Sequence, residues 1–431
     1  MAGAVEYAQM MEKQRVAPAV VFAWGSAIAT SMVVFSFLDL SKHPDLFLAC
    51  LTIAAGAYIR TLCLLDRVSA SSRQALLLCL ALAAVWRVPL LLMPPTLSTD
   101  VYRYVWDGRI QRLGYNPYLV VPADPAHREL HTAETRLMNH PWLPTPYPAG
   151  AELFFRAAVT VRESARAMKL AVAICDAASV AVLLLWLIDS GRNPWWVLAY
   201  AWNPLVSLEG AGNGHVDLLG AFCLILTAYS LSRGRRTIAS LALAFGVAVK
   251  FLPVVLLPLF WRRIRIRDAA LAIALLALLY LPFLNSGGLP VGSLGAYLSS
   301  FRINGPLYGV LRHVLPNAAL VALSAASGFA VAVWARGHWS IESPETWAWP
   351  IAIALLFAPT VFPWYLIWLT PFLFSPSTLP LAVWSVSALV IYSAFPGWAV
   401  VVVEYGALAI ATGWMIARRS RLASPLPTAR D

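Results

Sequence analysis

The sequence predicts an all-α polytopic membrane protein, and three observations carry that prediction. Of its 431 residues 60% are hydrophobic and only 12% charged, with a mean hydropathy of +0.69, beyond what a water-soluble domain sustains. Apolar runs about twenty residues long recur from end to end, each able to cross a hydrocarbon core of ~30 Å. The runs are rich in Leu, Ala and Val and do not alternate with polar residues, so the spans are helices and a β-barrel is excluded.

The first three spans cover 16–38, 46–65 and 75–93. No short apolar run with a small-residue cleavage site opens the chain, so the first span is expected to be retained. Hydrophobicity then breaks from 93 to 165, a segment punctuated by Pro94, Pro95, Asn116-Pro117, Asp124-Pro125 and the run Pro141, Pro144, Pro146, Pro148. Between these breaks, 100–114 and 149–161 are expected to form two short helices lying flat at the membrane interface. Further apolar segments follow at 170–188, 195–208, 218–231, 237–249, 251–261 and 269–283. The short pair flanking Lys250 reads as a broken helix pair that reaches the outer face and returns, because basic residues flank it at both far ends. A second polar loop, 285–316, carries Arg302 and His313, and the last spans are 318–334, 347–359, 362–374, 379–395 and 399–417. Length allows about 12–14 transmembrane helices. Residues 1–417 read as one membrane domain and 418–431 as a cytoplasmic tail.

The net charge of +11 has a topological source and calls for no nucleic acid. With the N-terminus cytoplasmic, Lys13/Arg15, Arg67/Arg73, Arg233/Arg235/Arg236, Arg262/Arg263/Arg265/Arg267 and Arg418/Arg419/Arg421 all fall on one side. The expectation is a multi-pass protein of a bacterial inner membrane, both termini cytoplasmic and the loops 93–165 and 285–316 extracytoplasmic. Cys50, Cys63, Cys79, Cys175 and Cys223 lie in apolar stretches without a CxxC pair, as packing residues do, and imply neither disulfide nor structural metal. The 18 Trp and 15 Tyr suit interfacial belts.

Four places carry candidate chemistry. In the run from Ser98 to Arg109, helical pitch brings Asp100, Arg103 and Asp107 to one face; an interfacial helix with solvated charges is the plainer account. Asn213, His215 and Asp217 interrupt two apolar helices, where ionisable groups either line a cavity, pair with one another, or cap a helix. Lys250, at the apex of the short pair, either meets a lipid phosphate or snorkels to the interface. Tyr147-Pro148 and Phe362-Pro363-Trp364-Tyr365 shape the backbone, and Trp364 and Tyr365 are either belt anchors or stacking surfaces for a sugar or prenyl chain.

The run from Thr99-Asp100 to Asn116-Pro117-Tyr118, followed by Tyr147-Pro148-Ala149 and a short helix, resembles the GT-C membrane glycosyltransferases that use polyprenyl-phosphate sugars. It is most similar to the bacterial polyprenol-phosphate-mannose-dependent α-mannosyltransferases, and more distantly to the catalytic subunit of the first GPI mannosyltransferase. Asn213, His215 and Asp217, Lys250 with Pro253, and Pro363-Trp364-Tyr365 also match features of the group. Three spans rather than one precede the Asp loop, which keeps the loop on the outer side. Val101-Tyr102 follow Asp100, so there is no strict Asp-x-Asp and a divalent cation remains an open possibility; no other cofactor is implied.

The resemblance implies a GT-C-like bundle that moves a hexose, mannose by preference, from a polyprenyl-phosphate donor to a glycolipid, polysaccharide or protein acceptor, with inversion. Asp100 would be the general base. Lys250 and Arg302, and more weakly Arg103, would supply positive charge to the leaving phosphate, or Arg103 would orient Asp100. Asp107, Tyr147, Asn213, His215, Asp217, Trp364 and Tyr365 would contact the substrates. The competing reading is a transporter or flippase of lipid-linked sugars, for which broken helices and buried charges are equally expected. Against it stand the absence of a visible repeat and the gathering of polar residues toward one face.

Overall fold

Where the sequence is continuously apolar the chain forms unbroken helices, and where proline or Asn-Pro interrupts it the helix divides. The computed structural model describes residues 15–286 and 290–423. Its main helices are α1 Pro18–Ser36, α2 Pro44–Leu62, α3 Arg73–Leu92, α4 Asp100–Arg112, α5 Ala149–Val161, α6 Ala165–Asp189, α7 Asp217–Ser232, α8 Arg236–Val249, α9 Ile266–Tyr280, α10 Asn317–His338, α11 Pro344–Phe357, α12 Leu379–Ser387 and α13 Gly397–Ala423. Among the described residues there is no strand, only bridges joining Ile303 and Asn304 to Thr360.

The chain is an all-α polytopic membrane protein. Among the described residues seven helices, α1, α2, α3, α6, α9 with its extension, α10 and α13, are long and apolar enough to cross a membrane. The larger sequence count of about 12–14 takes in shorter apolar helices, among them α7 and α8, and segments that the structure divides. These last are 194–212 and the 3₁₀ runs Leu252–Phe260 and Pro363–Phe372.

Segment 194–212 is buried throughout its second half and shows how broken backbone survives in such surroundings. The Asn193 and Asn203 side chains accept hydrogen bonds from the amides of Trp195 and Leu205, each with proline at the first helical position. Tyr58 Oη donates to the Ala199 carbonyl at 2.6 Å, Trp202 Nε1 donates to the Cys79 carbonyl at 3.0 Å, and Asn203 Nδ2 donates to both Tyr58 Oη and Ser385 Oγ. Side chains thus replace the water that a lipid-embedded break cannot recruit. The segment ends in a π-helical turn, Ser207–Gly212, of the kind that often marks a functional site.

Charged groups between helices are likewise partnered. Arg87 of α3 pairs with Asp176 of α6 at 2.7 Å, and buried Lys169 donates to the carbonyls of Leu90 and Met93, closing the end of α3 that Pro89 disturbs. Four cysteines are buried as expected for packing residues, but Cys63, just past α2, is exposed.

The account of 100–114 as a helix with solvated charges needs correction, since Arg103 and Asp107 are buried. Helix α4 is buried on nearly every side, packed on α5 and α6, because Gly108 lets the α5 backbone come close. A Cβ at Gly108 would stand 2.6 Å from the Phe155 carbonyl oxygen, a contact that no rotamer change relieves. Gly108→Ala should therefore destabilise the protein by about 1–3 kcal/mol, outweighing the ~1 kcal/mol that alanine ordinarily adds to a helix. A lower apparent melting temperature in detergent is the expected result, and an unchanged one would show that α4 and α5 can separate freely.

Candidate active site

At the end of the bundle where α3 gives way to α4, a cavity of about 460 Å³ opens. Its walls come from 96–100, the proline-rich loop at 139–148, Asp217, Lys250, the segment around Ser293–Phe301, and Phe362, Trp364 and Tyr365. Seven of the eleven residues singled out from the sequence line it: Asp100, Arg103, Tyr147, Asp217, Lys250, Trp364 and Tyr365.

Asp100 is the first residue of α4, so its carboxylate sits at the positive end of the helix dipole. Its side chain is 14% exposed. Oδ1 accepts from Asn139 Nδ2 at 2.5 Å and Oδ2 lies 3.9 Å from His215 Nδ1. His215 is fully buried and stacks on Trp364, ring centroids 4.1 Å apart at 13°. Its Nε2 approaches Glu209 Oε2 at 3.2 Å, an ion-pair approach rather than an aligned hydrogen bond. Glu209, carried by the π turn, also accepts from Tyr392 Oη at 2.8 Å and Asn213 Nδ2 at 2.9 Å. Burial alone would push His215 toward its neutral form, but the bond to Glu209, together with the charges of Glu209, Asp100 and Asp217, raises its pKa above the ordinary value.

Also in the lining, Lys250 Nζ donates to Asp217 Oδ1 at 2.7 Å, and Trp368 Nε1 donates to the same oxygen at 2.6 Å. The ammonium lies 3.5 Å from the Tyr365 ring centroid, a cation–π position. Tyr365 Oη is hydrogen-bonded to Tyr297 Oη. Tyr147 packs edge-on against Tyr104 and Phe155.

Of the other expected contacts, Asp107 and Arg302 are placed elsewhere, Asn213 and His215 stand behind the lining, and Arg103 lines the cavity but spends its guanidinium on other partners. Asp107 is fully buried and does not line the cavity: seven residues along α4 put it about 10 Å deeper than Asp100. There Arg103 Nε donates to both its oxygens at 3.1 and 3.2 Å. Arg103 itself turns from Asp100 to the loop, donating to the carbonyls of Leu143 at 2.7 Å and His140 at 3.4 Å. Arg302 also lies outside the cavity. The short helix Leu294–Ser300 ends beside it, and its guanidinium donates to the carbonyls of Leu298, Ser299 and Phe301, as orphaned helix-end carbonyls require. Buried Asn213 supports the wall from behind, holding Glu209 and accepting from the Leu97 amide at 3.3 Å.

Sequence reading missed Asn139, Glu209, Tyr297 and Trp368. Glu209 carried a signal, an acidic residue directly after the apolar run that ends at Leu208. Asn139 carried none, since its contact with Asp100 spans 39 residues of irregular loop. Beneath the site, Glu152 accepts from Thr145 at 2.6 Å and Gln111 at 2.8 Å. Burial, then the neighbouring Asp107, raises its pKa well above the ordinary carboxylate value. Among the described residues no group of three or more His, Cys, Asp or Glu is gathered as a metal would need, and Asp217 is already committed to Lys250 and Trp368.

Fold and site together define a polytopic membrane protein whose carboxylate and ammonium groups line one cavity at an end of its helix bundle, with a buried imidazole beside the carboxylate. Residues 15–264 match the family model described as alpha-(1->6)-mannopyranosyltransferase, N-terminal domain, and the chain belongs to that family. Alpha-(1->6)-mannopyranosyltransferase A of Mycobacterium tuberculosis is 26% identical over 338 residues, 67% of this chain and 63% of that protein. A probable alpha-(1->6)-mannopyranosyltransferase of Mycolicibacterium smegmatis is 41% identical over 66 residues, 15% of this chain and 11% of the relative. The chain spans less than two thirds of the length of these relatives. No solved structure matches. Asp100, His215, Asp217 and Lys250 all lie within the matched residues; Trp364 and Tyr365 lie beyond them.

The Asp217–Lys250 pair gives a test of the geometry. Lys250→Met leaves the buried Asp217 carboxylate without its cation and should cost about 3–5 kcal/mol. Adding Asp217→Asn should return part of that loss. Melting temperatures of the single and double variants in detergent read the coupling, and strictly additive losses would exclude it.

Proposed function

We propose that this protein transfers a mannosyl residue from a polyprenyl-phosphate donor to a glycolipid or polysaccharide acceptor at the extracytoplasmic membrane face, inverting the anomeric carbon. The observation that carries the reading is the presence of a carboxylate, Asp100, and an ammonium, Lys250, in the lining of one aromatic-lined cavity, both within the residues that match the family. Asp100 takes the proton of the acceptor hydroxyl as its oxygen bonds to the anomeric carbon. The carbon–phosphate oxygen bond breaks at the same centre, and the electron pair leaves on the polyprenyl phosphate. Lys250 faces that developing charge; a phosphate is already a stable anion, so fixed positive charge serves better than a general acid.

The other residues hold this arrangement. Asn139 orients the Asp100 carboxylate, and Glu209 with Asn213 holds His215 behind it. Arg103 fixes the loop carbonyls that roof the cavity, leaving the phosphate to Lys250. Trp364, stacked between His215 and Phe362, stiffens the wall rather than offering a free ring face, while Phe251, Phe301 and Phe362 form an apolar side suited to the first prenyl units. The basic clusters on alternate connections support an extracytoplasmic cavity in this reading. Residues 1–417 act as one membrane unit in this reading.

Transfer of radiolabelled mannose from synthetic polyprenyl-phosphate mannose into lipid and polysaccharide fractions is the direct test. Asp100→Asn should reduce transfer about 100-fold or more at unchanged expression; wild-type rates in that variant would remove Asp100 as the base. Asn139→Ala, which strips one charge-assisted hydrogen bond, should lower kcat about tenfold while leaving KM for the donor nearly unchanged. A change confined to KM would place Asn139 on the substrate instead.

A further inference from the structure

A second cavity, about 360 Å³, lies at the other end of the bundle. Helix α3, 20 residues and hence about 30 Å long, separates the two. Its first turn follows the connection that helps form this cavity, and its last leads to Asp100. The cavity is built where the end of α2, the turn Leu65–Arg67, Trp196, the connection at 373–379 and the last part of α13 meet. Three guanidinium groups, Arg60, Arg67 and Arg418, line it against one carboxylate, Asp66. That difference leaves two positive charges. Asp66 is already engaged, accepting from Trp196 Nε1 at 2.7 Å. Among the described residues none of the three arginines has a carboxylate within ion-pair distance; the Arg418 guanidinium instead lies 5.4 Å from the Trp414 ring centroid.

Single arginines at a helix end ordinarily snorkel into water and need no ligand. Here residues from opposite ends of the chain surround one concave space, and the space is not merely cationic. Leu62, Leu373 and Leu379 line it too. Beside it α13 turns Ile410 and Trp414 outward, 76% and 47% exposed. A free phosphate would use only the guanidinium groups. A phospholipid would use both parts, its phosphodiester taking hydrogen bonds from the arginines and its acyl chains lying along the outward face of α13.

We propose that this cavity binds the headgroup of an anionic phospholipid, in the leaflet opposite the one that the Asp100 cavity faces, joining the ends of α2 and α13. The site is independent of the transfer reaction, so it stands or falls without the mannosyl assay. Arg60, Arg67 and Arg418 are exposed, and their replacement leaves the core intact.

The experiment uses the full chain in phosphatidylcholine nanodiscs, with phosphatidylglycerol added in steps and the melting temperature and tryptophan emission followed. A saturable rise with phosphatidylglycerol is expected. Arg60→Gln/Arg67→Gln/Arg418→Gln should weaken the apparent affinity about tenfold or more, whereas Arg233→Gln/Arg236→Gln, basic residues outside the cavity, should leave it unchanged. Equal weakening in both variants would reduce the effect to general surface attraction and overturn the site. An equal response of the detergent-solubilised protein to inorganic phosphate, with no added gain from the lipid, would overturn the lipid assignment.

Discussion

The contact between Lys250 and Asp217 is the one on which the cavity depends. It joins the end of α8 to the start of α7, and Trp368, bonded to the same carboxylate oxygen, draws in the Pro363–Phe372 run. The indole fits because Gly220, one turn along α7, has no Cβ; an added one would stand 2.1 Å from the ring. A carboxylate 2% exposed is tolerated only with partners in place. Three elements from distant parts of the chain are thereby held at one point, and Trp364 and Tyr365 are carried to the cavity wall by the run that Trp368 anchors.

Around this joint the structure divides labour between two kinds of polar group. Those facing the cavity are few: the Asp100 carboxylate and the Lys250 ammonium. Those behind them are saturated or nearly so. Glu209 meets Tyr392, Asn213 and His215; Asp107 meets Arg103; Glu152 meets Thr145 and Gln111. Backing of this kind fixes the rotamers of the groups in front, which is how a site keeps its geometry before any ligand arrives.

Much of this was legible in the sequence, and the failures have physical causes. Proline punctuation and helical spacing located α5 at 149–161 and α4 to within two residues at its end. Basic residues at both far ends of the short pair marked Lys250 as its apex. Periodicity also put Arg103 and Asp107 on the face of Asp100, but it is blind to depth. That Asp107 is sealed off depends on α5, brought close by Gly108 from 47 residues away in sequence. Arg302 failed for a related reason: a long side chain in an irregular loop satisfies the nearest free carbonyls, and only coordinates reveal which those are.

The shortness of the helix pair that meets at Lys250 has a consequence for the lipid around it. Helix α8 has 14 residues and the following 3₁₀ run nine, giving lengths of about 21 and 18 Å. Helix α8 begins at Arg236 and the 3₁₀ run ends beside Arg262, so their far ends share a basic level. Each falls about 10 Å short of a full hydrocarbon thickness. The ammonium therefore sits in a zone of hydrophobic mismatch, where a bilayer thins to meet a short wall. A lipid-borne anion can descend to it with the membrane surface itself, without being drawn out of its headgroup layer.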